Sequence, residues 1–252
     1  MATQNADSSV LIDTAAAMSN LMDDLDAQPS TSPSLYIDLE GVNLSRHGTI
    51  SIIQVYVLPL NRTCLIDVHT LRSEVFSTPG SRSGRTFKDI LESGTVPKVF
   101  FDVRRDSDAL YAHFQITLNG VHDLQLMELA TRPSQKRFTF GLARCIELDA
   151  GLTVAQRTAW KAKKELGLNL FDPTRGGSYQ VFNERPLREE VKAYCVQDVQ
   201  FLPLLWARYK AKLTSAWEAR VVEATRERVA VSQAPGFNPQ GRNMAEAPAG
   251  WA

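Results

Sequence analysis

The 252-residue sequence is poor in the residues that staple a fold or bind soft metals. Its three cysteines, Cys64, Cys145 and Cys195, are far apart and odd in number, which argues against a disulfide framework and against a CxxC metal site. The four histidines form no cluster of the kind zinc requires. No stretch approaches the roughly 20 apolar residues of a membrane span, and the first residues lack the basic-then-apolar layout of a signal peptide. The expectation is a soluble, intracellular protein in a reducing setting, with no membrane partner. Excess charge is also missing, since 28 basic residues balance 28 acidic ones. That removes the bulk electrostatic attraction of a nonspecific polyanion binder, so any anionic ligand must be met by a local site. What remains is an ordinary globular composition, 44% hydrophobic and 22% charged, without internal repeats or low-complexity tracts. One domain of catalytic size is expected.

Residues 1–8 are small and polar and are expected to be mobile. After the apolar run Val10 to Asp13, Thr14 is placed to cap a helix over 15–26, which the Pro/Ser stretch Gln28 to Ser34 ends. Leu35 to Glu40 alternates with the period of a strand, and Ile50 to Leu58 and Thr63 to Val68 read as two more. Their short connections predict neighbouring, largely antiparallel strands. Strand and helix then alternate: a strand at 98–101, a helix at 103–114, a short strand at 121–123 and helical patterns at 124–131, 139–149 and 153–166. Residues 167–186, rich in Gly, Pro and Asn, read as a long loop, and 187–213 as one helix kinked by Pro203. The domain is expected to span 9–213. Residues 214–252 would be an extension, with a charged helix at 216–231 and a loosely attached tail from 234.

Three constellations carry chemistry. Asp38 and Glu40 are two apart on a strand and share one face with Tyr36, while Leu35, Ile37 and Leu39 face the other way. Two solvated charges at a strand end would look the same, so this pair alone decides little. In the helix after Lys98–Phe101, an advance of about 100° per residue puts Val103, Ser107, Leu110 and Phe114 on an inward stripe. Asp106 falls at its edge, Asp108 roughly opposite in solvent, and Asp102 at the N-cap. A carboxylate on the core side needs a hydrogen-bonded partner or a metal. The third constellation is Tyr194 and Asp198, one turn apart on the buried face of a long helix.

D-x-E on a first strand, Asp on a later helix and Y-x-x-x-D on a late helix together resemble the three motifs of the ribonuclease D-like, DEDDy group of 3′-to-5′ exonucleases. The resemblance covers roughly residues 10–213 and includes "LYIDLEG", "KVFFDVRRDSDALY", "VHDLQLMEL" and "RPLREEVKAYCVQDVQFLPLLW". The chain departs from many members at Phe101, where they carry His before the second motif, and has a longer segment over 160–183. The resemblance implies a ribonuclease-H-like α/β fold, a mixed central sheet flanked by helices. It also implies hydrolysis of a single-stranded RNA or DNA from its 3′ end to nucleoside 5′-monophosphates, with two divalent cations, Mg²⁺ or Mn²⁺, as cofactors. Asp38, Glu40, Asp106 and Asp198 would be the metal ligands, and Tyr194 would orient the attacking water. All-oxygen carboxylate ligands suit such hard ions, and two divalent ions can both activate water and stabilise the departing 3′ oxygen.

Other residues invite a substrate role. Asn43, Arg46 and His47 follow the first motif, Arg105 flanks Asp106, and Tyr179 lies in the Gly-rich segment where it could stack a base. Solvated loop polarity would explain Asn43, Arg46 and His47 equally well, plain surface explains Arg105 more simply, and a flexible turn is slightly favoured for Tyr179. Arg104, Lys161, Lys163 and Lys164 are basic and read as surface that could contribute a positive rim. Gln54, Asp67 and Asp123 read as structural hydrogen-bonding residues. The main rival function is a silent nucleic-acid-binding or scaffold protein of the same fold, against which the presence of all five motif residues counts. A phosphatase or hydrolase of free nucleotides is a third reading, separated by activity on oligonucleotides.

Overall fold

In the computed structural model, which describes residues 9–29 and 31–251, six strands form one mixed sheet. The expectation for residues 1–8 concerns positions outside that range. The apolar run before Thr14 is strand β1 (Ser9–Ile12), and the Thr14 hydroxyl accepts a hydrogen bond from the Ala17 N–H to open helix α1 (Ala15–Asp26). Strands β2 (Leu35–Glu40), β3 (Ile52–Val57) and β4 (Arg62–Asp67) follow, and their short connections make β3 antiparallel to both neighbours, as expected. Residues 68–97 contribute three short helices, α2 (Val68–Leu71), α3 (Glu74–Ser77) and α4 (Phe87–Glu92). Then β5 (Lys98–Phe100), α5 (Arg104–Phe114), β6 (Val121–Asp123) and α6 (Leu124–Thr131) alternate. β5 and β6 add in parallel beside β2, giving the order β1-β4-β3-β2-β5-β6. β2 is therefore central, and the ends of β2, β5 and β6 that carry Glu40, Phe100 and Asp123 point the same way. In open α/β sheets that carboxyl edge is where ligands bind.

The two faces of β2 enter different cores. Leu35, Ile37 and Leu39 pack with Met18, Ile53, Val55 and Leu110 on one side. The other side is covered by α7 (Leu142–Asp149), α8 (Val154–Phe171), α9 (Glu189–Gln200) and α10 (Leu202–Lys210), and Tyr36 lies there with Val99 and Leu205. The 139–149 pattern becomes helical only at Leu142. The loop expected over 167–186 is not one: α8 runs through Gly167 to Phe171, and two 3-10 turns, Pro173–Arg175 and Tyr179–Phe182, follow. A mid-helix glycine costs about 1 kcal/mol relative to alanine, but here it allows close packing, because a Cβ at Gly167 would lie 2.4 Å from the Tyr194 ring. The helix expected over 187–213 is two helices, broken at Phe201, with Pro203 in the first turn of the second, where its missing N–H costs nothing.

Beyond residue 213, α11 (Ser215–Gln233) packs along α5 and buries Val221, Arg228 and Val229. The tail is not loosely attached. Arginine side chains bind its backbone carbonyls: Arg46 at Pro235 (3.1 Å), Arg105 at Pro239 (3.1 Å) and Arg104 at Met244 (2.7 Å). Trp251 is buried edge-on against Trp217, with ring centroids 5.1 Å apart. The Pro/Gly content of 234–252 signalled irregular backbone, and the structure shows irregular backbone held by side chains from elsewhere. Among the described residues no helix is long and apolar enough to cross a membrane.

Candidate active site

Three elements bring the motif residues to the carboxyl edge of the sheet. Period-two alternation puts Asp38 and Glu40 on the β2 face covered by α9, and one helical turn separates Tyr194 from Asp198 on the inward side of α9. One oxygen each of Asp38, Glu40 and Asp198 lies within 4.8 Å of the others. Asp106, in the first turn of α5, is buried and stands outside that triad, but feels the charges of both Asp38 and Glu40. The Tyr194 ring is fixed by Gly167 and by an edge-to-face contact with Phe171 (4.9 Å between centroids). Gly41 turns the chain after the first motif where a Cβ would collide with the Thr49 carbonyl.

The electrostatics of this cluster are those of a cation site. Burial, then the Asp198 charge, push the Asp38 carboxyl up to about 7, with Lys164 opposing. Glu40 is raised well above its ordinary value by burial and Asp38, and Asp106 by burial and Asp38. Like charges this close disfavour one another's ionisation, and a cation between them relieves that cost. Lys164 reaches in, its ammonium donating to Asp198 Oδ1 (2.7 Å) and to the Tyr194 hydroxyl (3.1 Å) and lying 4.5 Å from the ring centroid. With Arg105, whose charge lowers Asp106, two cations still do not balance four carboxylates. The nearby Cys195 thiol is pushed well above its ordinary value by burial and the Glu40 charge, and so stays protonated. The donors left are carboxylate oxygens, which fit hard divalent ions.

A pH dependence follows. Carboxyls raised in the folded state hold protons that the unfolded chain releases near pH 4. Their contribution to metal-free stability is therefore full below about pH 4 and is lost as pH rises through the raised values, about 7 for Asp38. The melting temperature gained on adding Mn²⁺ should widen between about pH 5 and about pH 8. A gap that stays constant over that range in thermal melts would refute a metal site at these carboxylates.

Several expectations around the site are corrected. Asp102 does not cap α5 with its side chain. It sits at φ +59°, and its N–H and that of Val103 donate to the Asp123 carboxylate (3.2 and 3.3 Å), while the Asp102 carboxylate takes Arg104 (2.6 Å). Asp108 is not solvated but buried, because Arg46 of the loop after β2 lies over it and is held there by the Ser232 carbonyl of α11 (2.7 Å). Asp108 instead binds the Arg46 guanidinium (2.6 Å) and the Arg46 N–H (2.9 Å). Arg46 and Arg105 are thus committed to Asp108 and to the tail, and the Tyr179 ring stacks on Phe171 (5.9 Å, 26°). Asn43 and His47 are exposed on the loop after β2. Asp67 and Asp123 are structural, as read: Asp67 holds Thr70 and Arg185, and Asp123 holds Arg228 (2.8 Å). Gln54, opposite Asp38 in the sheet, is buried beside the Cys195 thiol, its amide making no hydrogen bond of ordinary geometry among the described residues.

Lys164 is the site residue that sequence reasoning placed on the surface. Its signal was present: Trp160, Lys164, Gly167 and Phe171 recur at helical spacing and form the side of α8 that faces α9. Arg228 hid inside a charged helical pattern in the same way.

A family model described as 3′-5′ exonuclease matches residues 10–214. No curated protein sequence matches the chain. Among solved structures, Trypanosoma brucei RNase D in complex with RNA U12 superposes with a TM-score of 0.73 at 21% identity, over 97% of this chain and 78% of that one. Escherichia coli RNase D, an exoribonuclease involved in structured RNA processing, gives 0.60 at 19% identity over 89% and 50%. Brucella melitensis NrnC with bound Mg²⁺ gives 0.56 at 16% identity over 84% and 92%. What these chains share with this one is the ribonuclease-H-like arrangement of mixed sheet and flanking helices.

Proposed function

The chain belongs to the 3′-5′ exonuclease family, and we propose that it acts on a single-stranded nucleic acid with two divalent cations, Mg²⁺ or Mn²⁺, releasing nucleoside 5′-monophosphates. The observation that carries this reading is the convergence of Asp38, Glu40 and Asp198 within 4.8 Å beside Tyr194. Asp38, Glu40 and Asp198 would hold one ion, with Asp38 shared, and Asp106 would serve the other. When bound, such ions supply an activated water and a counter-charge for the departing 3′ oxygen. That Trypanosoma brucei RNase D was solved with RNA and NrnC with Mg²⁺ and with pGG supports this choice of substrate class and cation. The deciding experiment incubates the purified protein with end-labelled RNA and DNA oligonucleotides and Mg²⁺, Mn²⁺ or chelator. Metal-dependent shortening from the 3′ end is expected; none with either polymer would refute the reading.

The role of Tyr194 follows from its surroundings. Burial and the Asp198 charge raise its hydroxyl well above the ordinary phenol value, so it stays protonated and acts as a hydrogen-bond donor, not a base. Lys164 engages one lone pair of the hydroxyl and the Asp198 carboxylate offers its O–H an acceptor, so the group is held at the carboxylate cluster, where it would orient water. Tyr194→Phe is expected to lower kcat about 10- to 100-fold with little change in KM, since alignment is lost only in the transition state. A variant that melts normally and cleaves at the wild-type rate in single-turnover assays would remove this role.

A further inference from the structure

A chain of zero net charge must meet phosphates with local positive charge. The basic residues closest to the motifs are largely engaged: Arg46, Arg104, Lys161 and Lys164 are each paired with a carboxylate, and Arg105 donates to the Pro239 carbonyl (3.1 Å). A different face supplies that charge. From Leu129 to Ile146 the sequence has no acidic residue but carries Arg132, Lys136, Arg137 and Arg144 interleaved with Phe138 and Phe140. The Phe140 ring takes two guanidiniums, Arg132 at 3.5 Å and Arg144 at 3.7 Å from its centroid, and Arg137 lies 5.1 Å from Phe138. Beside them the Trp217 ring of α11 takes the Lys136 ammonium (5.2 Å) and the Arg220 guanidinium (4.3 Å). Arg137 and Arg144 are exposed, neither has a carboxylate within ion-pair distance among the described residues, and Phe138 is 49% exposed.

This face is tied to the active-site end of the sheet. The Phe140 carbonyl accepts a hydrogen bond from the Gln125 side chain (3.0 Å), and Gln125 in turn accepts from Arg228 (2.9 Å) and Arg104 (3.4 Å) at the start of α5, two residues before Asp106. The backbone of Arg137 and Thr139 is stitched to Ala247 and Ala245 (3.0 Å each), so the loop is held in place. Guanidiniums free of carboxylates, beside an exposed ring, are the components of a single-strand platform: arginines for phosphates, the ring for a base.

We propose that the face formed by Arg137, Phe138 and Arg144 binds single-stranded nucleic acid on the 5′ side of the nucleotide being removed. The inference rests on the exonuclease reading above. The test uses full-length protein with chelator, a fluorescein-labelled 12-nucleotide RNA or DNA, and anisotropy across a salt series. Arg137→Ala/Arg144→Ala is expected to bind at least about tenfold more weakly and to lower the salt slope by about 1.4, the loss of two single-strand phosphate contacts. Phe138→Ala should weaken binding about tenfold with the slope unchanged. A dinucleotide, which carries a single nucleotide 5′ of the scissile bond, should be cleaved at the wild-type rate by both variants with Mn²⁺. If removing the Arg144 stem lowers the melting temperature, Arg137→Gln/Arg144→Gln keeps the packing and gives the same readout. Wild-type affinity and slope in the double variant would overturn the proposal, as would binding to anionic vesicles but not to oligonucleotide. Failure of the exonuclease reading shows separately, as no dinucleotide cleavage by the wild-type protein.

Discussion

Asp38→Asn is expected to reduce metal-dependent nucleotide release by at least about a hundredfold while the metal-free protein melts no lower than the parent. Groups that merely support metal ligands cost 10- to 100-fold when lost, so a ligand shared between ions should cost at least about that much. The fold is spared because asparagine keeps the shape and removes one of the charges that Asp198 and burial make unfavourable. The same variant should lose most of the Mn²⁺-induced rise in melting temperature. Near-normal cleavage by a folded Asp38→Asn protein would refute the ligand assignment.

The second large effect separates two aspartates that lie two residues apart on α5. Asp106→Asn should abolish cleavage and leave the melting temperature near normal or raised, since Asp106 is buried beside the charges of Asp38 and Glu40, which outweigh that of Arg105, and makes no ion pair among the described residues. Asp108→Asn should do the reverse. Its carboxylate is fully buried and satisfies both the guanidinium and the N–H of Arg46. Weakening that pair should cost about 1–3 kcal/mol of stability, the penalty for buried donors left poorly satisfied. Assayed well below both melting temperatures, Asp108→Asn should retain most of its activity. Comparable activity losses in the two variants would show that the helix register has been misassigned.

The Asp106 and Asp108 pair also shows what could be read without coordinates. Asp38 with Glu40, and Tyr194 with Asp198, were legible because strand and helix periodicity fix which side chains share a face, and the short β2–β3–β4 connections predicted antiparallel neighbours. The placement of Asp108 in water assumed that α5 has one exposed side. It does have one, at Arg105, Ala112 and His113, but Asp108 lies under Arg46 of the loop after β2, which the end of α11 holds in place, and α11 reads as a charged surface helix whose inward residues include Thr225, Arg228 and Ser232. The continuation of α8 through Gly167 was hidden for a related reason: glycine weakens a helix by itself, and the compensating contact with Tyr194 comes from another element. The anchoring of the tail depends on arginines reaching backbone carbonyls, an interaction that leaves no pattern in sequence. Local geometry was legible; contacts between distant elements were not.

Asp38 on β2, Asp106 on α5 and Asp198 on α9 come from widely separated parts of the chain, and their meeting has a kinetic cost. Bringing such distant segments together requires closing long loops, and the entropy of each closure is lost before any contact repays it. The β2–β3–β4 meander joins near neighbours, but the carboxylate cluster is complete only when α9 lies on the sheet. Its oxygens are scattered in the unfolded chain, which offers divalent ions no assembled site. Ions therefore select the folded molecule by mass action and do not seed its folding, so metal should slow unfolding much more than it speeds refolding.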